Sequence, residues 1–438
     1  MVLRTHYSDE LSESTKGKVT ICGWVHDVKD LAKVRFVWLR DSHGIAQLTI
    51  QKSEASQEIL ALTEGLNREA VISVVGEVIP KRIAKVGSEV KPLKVTMLSK
   101  AATPLPLDVA GKTEANLDVR LDWRSIDLRR REVAPIFRIQ SKLLEGMQEY
   151  LRKNGYVQVF TPSILGGISE GGAEVFRIDY YGREAYLRQD PQLHRQLLIA
   201  AGFEKIYDIG PSWRAELSHT PRHLCEHRTI AVELAFMSDE SDMMRVEQEM
   251  VAAGIQRVIE KCGKDLSELK VELETPKLPF PELRFPKIYD ILSERGKKVP
   301  YGEDYDRESE LLLGKYVKEE FGSDFFFVNR FPFKAKPFYV MRVDEEPTWA
   351  RSVDLLYRGL ELSSGGQREH RHEKIIEQIK GKGVDAAKVA WFTDAFKYGV
   401  PPHGGFSLGI ERLTMELLGL SNLREAVLFP RTPERLVP

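Results

Sequence analysis

The sequence predicts an α+β protein in two parts: a small five-stranded β-barrel, then a larger domain around a mainly antiparallel sheet flanked by helices. Three observations lead there. Short alternating apolar runs crowd residues 18–99, a stretch dense in Pro and Gly follows, and beyond it strand and helix patterns mix without strict alternation. The boundaries read as 1–103 for the barrel, 104–134 for a hinge and 135–438 for the larger domain, with a small insertion around 240–335.

The barrel strands are KVTICGWVHDV, VRFVWLRDS and GIAQLTIQK, separated by polar turns such as Asp41-Ser42-His43-Gly44, then AVISVVGEVI and LKVTMLSK. A helical segment near 54–66 lies between the third and fourth. Five strands with one interposed helix in about a hundred residues is the pattern of an oligonucleotide-binding barrel. Periodicity alone also allows an unrelated β-barrel. The segment Ala102–Gly111 (ATPLPLDVAG) then has the composition of a linker.

In the larger domain, residues 136–153 carry apolar side chains at helical spacing, with Gly155 as a stop. The strand YVQVFTP follows and ends at Pro162. Helical patterns recur at 241–263, 307–320 and 366–380, and strand-like runs at 185–188, 205–210, 227–237, 325–331, 338–343 and 353–364. No internal repeat or low-complexity segment is visible.

Bulk properties exclude some function classes. Of 438 residues, 42% are hydrophobic and 29% charged, the composition of an ordinary globular chain. No apolar run approaches the roughly 20 residues of a membrane helix. The start lacks the apolar centre of a signal peptide, and Cys22, Cys225 and Cys262 have no paired or metal-like spacing, so a reducing cytoplasm is expected and a structural zinc is not. With 64 basic against 65 acidic side chains, any RNA contact must come from local patches. A small-molecule enzyme without a nucleic-acid partner is compatible with that balance too.

Three clusters carry chemistry. Trp213-Arg214-Ala215-Glu216 and Arg222-His223-Leu224-Cys225-Glu226 flank a polar loop before the strand HRTIAVELAF, a hairpin suited to presenting cations to an anionic ligand. A solvated charged turn would look the same. Asp354 and Glu361 stand in an apolar β-like run close to Ser364, and unpaired carboxylates there would be costly. Hard oxygens of this kind suit Mg2+; two edge-strand carboxylates facing water are the alternative. The third cluster, Pro402-His403-Gly404-Gly405-Phe406-Ser407-Leu408-Gly409-Ile410-Glu411-Arg412, combines a glycine-rich approach with a cation at a helix start. Neither a Walker P-loop nor a Rossmann fingerprint occurs, so a nucleotide would have to bind another way.

Together these segments resemble the three signature motifs of class II aminoacyl-tRNA synthetases, in the subclass for aspartate, asparagine and lysine. RLDWRSIDLRR (120–130), the helix–strand unit ending at Pro162, WRAE with TPRHLCE, and GGFSLGIERL stand in family order over essentially the whole chain, which ends in LFPRTPERLVP. Glu170-Gly171-Gly172, the run Gln189-Asp190-Pro191-Gln192-Leu193 and SSGGQREHRH are most similar to the compact, archaeal-type aspartyl enzymes.

The resemblance implies activation of L-aspartate by ATP to aspartyl-adenylate and its transfer to tRNA-Asp, with tRNA-Asn as a second acceptor left open. It implies that Arg214 bridges the ATP α-phosphate and the amino acid's carboxylate, and that Arg222 and His223 hold the β- and γ-phosphates. Arg412 would lie across adenine and the γ-phosphate, with Glu216 and Leu224 in the same ATP site. Asp354, Glu361 and Ser364 would hold Mg2+, with Glu361 also facing ATP and Ser364 also facing the amino acid. Glu170 and Gln192 would take the ammonium group, Arg368 and Arg195 the side-chain carboxylate, and Glu233 would support its strand near ATP. Arg214 and Arg412 would be the catalytic pair, acting by position and charge. Pro162 would lie at a homodimer interface. In the barrel, Phe36 and Gln47 match anticodon-reading positions; Phe36 as barrel core is the rival reading. His26 resembles the enzymes that charge both tRNAs, Lys85 those that charge one.

The match departs at a few places. Arg195 stands where the family has Lys and Ala231 where it has Asp, which predicts a pocket more positive by one charge. His227 stands at the position expected to stack on adenine, Asp190 replaces a small Ser, and Ser407 a Gly. Two alternatives follow: an asparaginyl enzyme, against which Arg195 argues, and a synthetase-like paralogue that binds tRNA or nucleotide without aminoacylating. Retention of Arg214, Arg222, His223, Glu361, Arg368 and Arg412 argues against the second.

Overall fold

The computed structural model describes residues 3–80, 87–167, 174–215 and 223–438. The chain divides into two compact units, Met1–Asn116 and Leu117–Pro438. That division falls inside the stretch expected as a hinge.

The first unit contains β1 (Lys18–Asp30), β2 (Val34–Arg40), β3 (Ile45–Gln51), α1 (Gln57–Glu64), β4 (Val71–Val78) and β5 (Glu89–Ser99). They close into a barrel in the order β1-β2-β3-β5-β4, antiparallel except where β3 meets β5. Period-2 alternation decides what fills it: Val37, Leu39, Leu48, Ile50, Ile72 and Val74 are all buried inside. Phe36 and Trp38 belong to the opposite set on β2, half-buried on the outer face with ring centroids 6.3 Å apart. Phe36 is thus not a barrel-core residue.

The second unit opens with α2 (Leu117–Asp122), α3 (Arg124–Asp127) and α4 (Ala134–Lys153), followed by β6 (Val157–Val159), β7 (Ile164–Leu165), β8 (Arg177–Tyr180) and β9 (Arg183–Leu187). Next come α5 (Gln192–Ala200), β10 (Lys205–Trp213), β11 (Glu226–Ala235), α6 (Glu240–Lys261), α7 (Gly263–Leu269), β12 (Glu282–Arg284), α8 (Lys287–Glu294) and α9 (Arg307–Phe321). The remainder is β13 (Phe325–Asn329), β14 (Ser352–Tyr357), β15 (Leu360–Arg368), α10 (His372–Gly381), α11 (Ala390–Thr393), β16 (His403–Gly409) and α12 (Ile410–Leu418). Eight strands form one sheet in the order β12-β13-β14-β15-β16-β11-β10-β6, parallel only at its two ends. A small antiparallel sheet, β7-β9-β8, stands beside it.

Helix α4 buries Ile136, Ile139, Leu143, Met147 and Leu151 at the spacing read from the sequence. With α6 it covers one face of the large sheet, and α5, α10 and α11 pack a second core that includes Ile206 and Phe392. Within the stretch 240–335, α8 and α9 pack a core of their own with Phe326 and Val328. Apolar residues of α6 join the main core, and β12 and β13 extend the sheet, because Phe325, Phe327 and Phe280 pack into that same core.

Two expectations need correction. Residues 338–343 form isolated bridges and no strand, since Phe338, Tyr339 and Val340 are drawn into the α5–α10–α11 core. The run 366–380 is split, with Gly366 paired to Gly405 inside β15 and a helix beginning only at His372. Among the described residues no helix is long and apolar enough to cross a membrane.

Candidate active site

Strand register builds the floor of the site. Asp208 on β10, Ala231 on β11, Ser407 on β16, Ser364 on β15 and Asp354 on β14 are successive cross-strand partners, so they form one row on one face. The neighbouring row on that face reads Ile206, Glu233, Gly405, Gly366 and Ser352. Gly405 has to be glycine there, because a Cβ would stand 1.9 Å from the Val232 carbonyl oxygen and 2.6 Å from Glu233 Oε2.

A cavity of about 520 Å3 opens over this floor. Of the residues singled out in the sequence, Arg214, His223, Leu224, Gln192, Arg368, Asp354, Glu361, Ser364 and Arg412 line it, as do Asp190, His227 and Ser407. Segments about 220 residues apart in the chain therefore meet at one place. Glu170, Glu216 and Arg222 lie outside the described residues.

At one end of the cavity four side chains lock together. Arg368, 4% exposed, directs Nε to Glu233 Oε1 at 3.0 Å and Nη2 to the Gly405 carbonyl at 2.9 Å, with Gln192 Oε1 at 3.2 Å. Gln192 returns its amide N–H to Glu233 Oε2 at 3.1 Å, and the Tyr339 ring lies 5.7 Å from the Arg368 guanidinium. Arg195, 1% exposed, sits behind this wall and does not line the cavity. It donates to Asp190 Oδ2 at 2.5 Å and to Gln192 Oε1 at 2.8 Å. Burial alone would raise the Asp190 carboxyl, but Arg195, then Arg368 and Arg188, hold it below the usual carboxylate range. The surplus positive charge expected from Arg195 and Ala231 is therefore absent, since Asp190 cancels it.

The opposite end is acidic. A β-bulge at Leu362, where Leu355 pairs with Ser363 but Leu356 with Glu361, turns Glu361 to the face that Asp354 and Ser364 share. Burial, then the neighbouring Asp354 charge, pushes the Glu361 carboxyl up to about 7. Lys336 Nζ lies 3.1 Å from Asp354 Oδ2, and Arg412 donates to the Glu361 carbonyl at 2.8 Å. Among the described residues no three His, Cys, Asp or Glu side chains cluster as a metal site. The donor set here is two carboxylates and a hydroxyl. Hard oxygens of this kind fit a divalent cation that keeps part of its water shell.

Glu411 holds the hairpin by accepting the Arg228 backbone N–H at 3.0 and 2.9 Å, and burial lifts its carboxyl to about 7. His227 is lowered to about 4, by burial first and then by Arg214 and Arg412, so it meets a ligand as the neutral ring. Sequence reading missed Asp304, Tyr305 and Glu310 around the start of α9, and Lys336 and Tyr339, all on the cavity wall. The one available signal was Lys336-Pro337-Phe338-Tyr339, a cation held at the edge of an apolar run.

In the barrel, Gln47 is buried, donates from Nε2 to Thr49 Oγ1 at 3.3 Å, and is the cross-strand partner of Trp38. His26 lies 3.2 Å from Arg40 Nη1, and burial followed by Arg40 lowers its pKa. Lys85 lies outside the described residues. Trp38 is a second aromatic on this outer face that the sequence reading passed over, although it alternates with Phe36.

Residues 116–433 match the family described as tRNA synthetases class II (D, K and N), and residues 19–98 match the OB-fold nucleic acid binding domain. The chain belongs to the class II tRNA synthetases of the D, K and N group, and is an enzyme of that kind, with ATP as a substrate. It is 47% identical to the aspartate–tRNA(Asp) ligase of Pyrococcus horikoshii over 438 residues, all of both chains. It is 43% identical to the aspartate–tRNA(Asp/Asn) ligase of Archaeoglobus fulgidus over 436 residues, again all of both. Among solved structures it is similar to the asparaginyl-tRNA synthetase of P. horikoshii complexed with asparaginyl-adenylate, with a TM-score of 0.92 and 33% identity over 100% of each chain.

Proposed function

We propose that this chain is an aspartate–tRNA ligase: it activates L-aspartate with ATP and transfers the aspartyl group to tRNA-Asp. The observation that carries the choice of amino acid is Arg368, a buried guanidinium on the cavity wall, fixed by Glu233, Gln192 and Gly405. A buried cation held in place recognises a carboxylate and would leave an amide mispaired. Full-length relatives named aspartate ligases, at 43–47% identity, support the same reading.

In the first step an α-carboxylate oxygen of aspartate attacks the α-phosphorus of ATP while the bond to pyrophosphate breaks. Arg214 bridges the two reacting groups, and Arg222 and His223 hold the β- and γ-phosphates. Arg412 lies against adenine and the γ-phosphate, in a site shared with Glu216, Leu224 and Glu361. Glu170 and Gln192 take the substrate ammonium. In the second step a terminal ribose hydroxyl of tRNA takes the aspartyl group and AMP leaves. No side chain forms a covalent bond, so the barrier is lowered by positioning and fixed charge. Asp354, Glu361 and Ser364 would hold Mg2+, which when bound neutralises phosphate charge.

Anticodon reading falls to the barrel, through Phe36 and Gln47 with His26 and Lys85. Relatives named for both tRNA-Asp and tRNA-Asn, and His26 itself, support a second acceptor. The working form would be a homodimer through the surface around Pro162, in the cytoplasm, where the thiols of Cys22, Cys225 and Cys262 would stay reduced. The test is pyrophosphate exchange with aspartate and asparagine side by side, then charging of tRNA-Asp and tRNA-Asn. Exchange driven only by asparagine would overturn the reading.

A further inference from the structure

We propose that Asp190 is a specificity-determining positioning residue: by neutralising Arg195 across the cavity wall it fixes Gln192 and, through it, the orientation of Arg368. This rests on the aspartate reading and names what holds that pocket in shape.

The geometry runs through one amide. Gln192 Oε1 accepts from both Arg195 Nη2, at 2.8 Å, and Arg368 Nη2, at 3.2 Å, while Gln192 Nε2 donates to Glu233. Two buried guanidiniums thus share one acceptor, and each needs its own carboxylate: Glu233 serves Arg368 and Asp190 serves Arg195. Beyond Asp190, the acids acting on Arg195 are Glu233 and Asp208. Asp208 is already paired with Arg188 and Thr161, and Glu233 with Arg368.

Asp208 and Glu233 both flank Ala231, which is the cross-strand partner of Asp208 and two residues from Glu233 on the same strand face. Between the two floor acids that act on Arg195 the chain thus carries a methyl group and no third carboxylate. The counter-charge of Arg195 comes instead from the loop ahead of α5. Without Asp190, Arg195 would compete with Arg368 for Glu233 and loosen the hold on the Arg368 guanidinium.

The experiment compares Asp190→Ser, Asp190→Asn and the double variant Asp190→Ser with Ala231→Asp, using pyrophosphate exchange and urea denaturation. Both single variants should raise the KM for aspartate about 10- to 100-fold while moving the KM for ATP less than about threefold. The double variant, which returns an acid to the floor next to Asp208 and Glu233, should recover most of the loss. Equal changes in both KM values, or a KM for aspartate that does not move, would overturn the inference. So would a double variant that regains urea resistance but not the KM for aspartate. Exchange by the unsubstituted chain is measured first; if aspartate drives none, the functional reading fails, whereas a failure confined to the variants condemns only the role given to Asp190.

Discussion

Arg368 and Glu233 face each other across the floor of the site, Nε to Oε1 at 3.0 Å, with both side chains essentially out of solvent. A substrate carboxylate can use only the donors that this pair leaves turned toward the cavity. The guanidinium is therefore pre-aimed before substrate arrives, and little ordering remains to be done on binding.

Replacing Arg368 by Leu should raise the KM for aspartate far more than that for ATP, by at least about tenfold in the ratio. The same change leaves Glu233 buried without its partner, so stability should fall by about 3–5 kcal/mol. Glu233→Gln together with Arg368→Leu should restore part of the stability and none of the aspartate affinity. Urea titration and exchange kinetics on the same preparations check both statements.

His403 gives the fold an acid-sensitive point. Its ring is fully buried; Nε2 accepts from the Gln196 amide at 3.0 Å and Nδ1 donates to the Pro401 carbonyl at 2.9 Å. Burial first, opposed by Glu233 and aided by Arg368, lowers it to about 4 from 6.5. A histidine lowered on folding keeps its full contribution above about pH 6.5 and loses it as pH falls toward 4, because the unfolded chain takes the proton first. The loss should be on the order of 3 kcal/mol across that window. His403→Gln should unfold with a shallower pH dependence between 7 and 4 than the parent, measured by denaturation at a series of pH values. Identical slopes would show that the ring is not the titrating group.

Much of this site was legible because its residues lie on strands whose alternation is visible. Asp354, Ser364, Ser407 and Arg368 fall on one face as the period-2 pattern demands. The bulge that re-aims Glu361 leaves no mark in the pattern, since Leu360-Glu361-Leu362-Ser363 alternates as an unbroken strand would. Lys336, Tyr305 and Glu310 reach the cavity from segments that read as surface loop and solvated helix start. The Asp190–Arg195 pair was hidden for a different reason: its partners stand five residues apart, spanning the turn into α5, and only the folded backbone brings them together. The charge surplus inferred from Arg195 and Ala231 failed on that one contact.

In the barrel, the outward set on β2 predicts two stacking platforms, Phe36 and Trp38. Each base stacked on an aromatic ring contributes about 1–3 kcal/mol. Phe36→Ala and Trp38→Ala should each weaken tRNA-Asp binding about 5- to 100-fold at fixed salt, with aspartate-dependent pyrophosphate exchange unchanged. Filter binding and exchange measured in parallel separate this from general unfolding. A variant that loses exchange as well would point to a damaged fold.

The last prediction concerns the free edge of the large sheet. Among the described residues, β6 closes the strand order and pairs with β10 on one side only, so its other side is a sheet edge. Apolar side chains crowd the same place: Phe160 is 83% exposed, and Val157 and Ile164 are exposed with it, on either side of Pro162. A single chain gains nothing by wetting a phenylalanine at a sheet edge, whereas a second copy would bury it and satisfy the edge at the same time. Phe160→Glu should therefore shift the chain from dimer to monomer in sedimentation equilibrium, with the effect strongest at low protein concentration. Because α4 and β6 lead directly into this surface, exchange activity should fall with the dimer fraction. A parent chain that sediments as a monomer would refute the assembly, and full activity in a monomeric Phe160→Glu variant would show that the site needs no second copy.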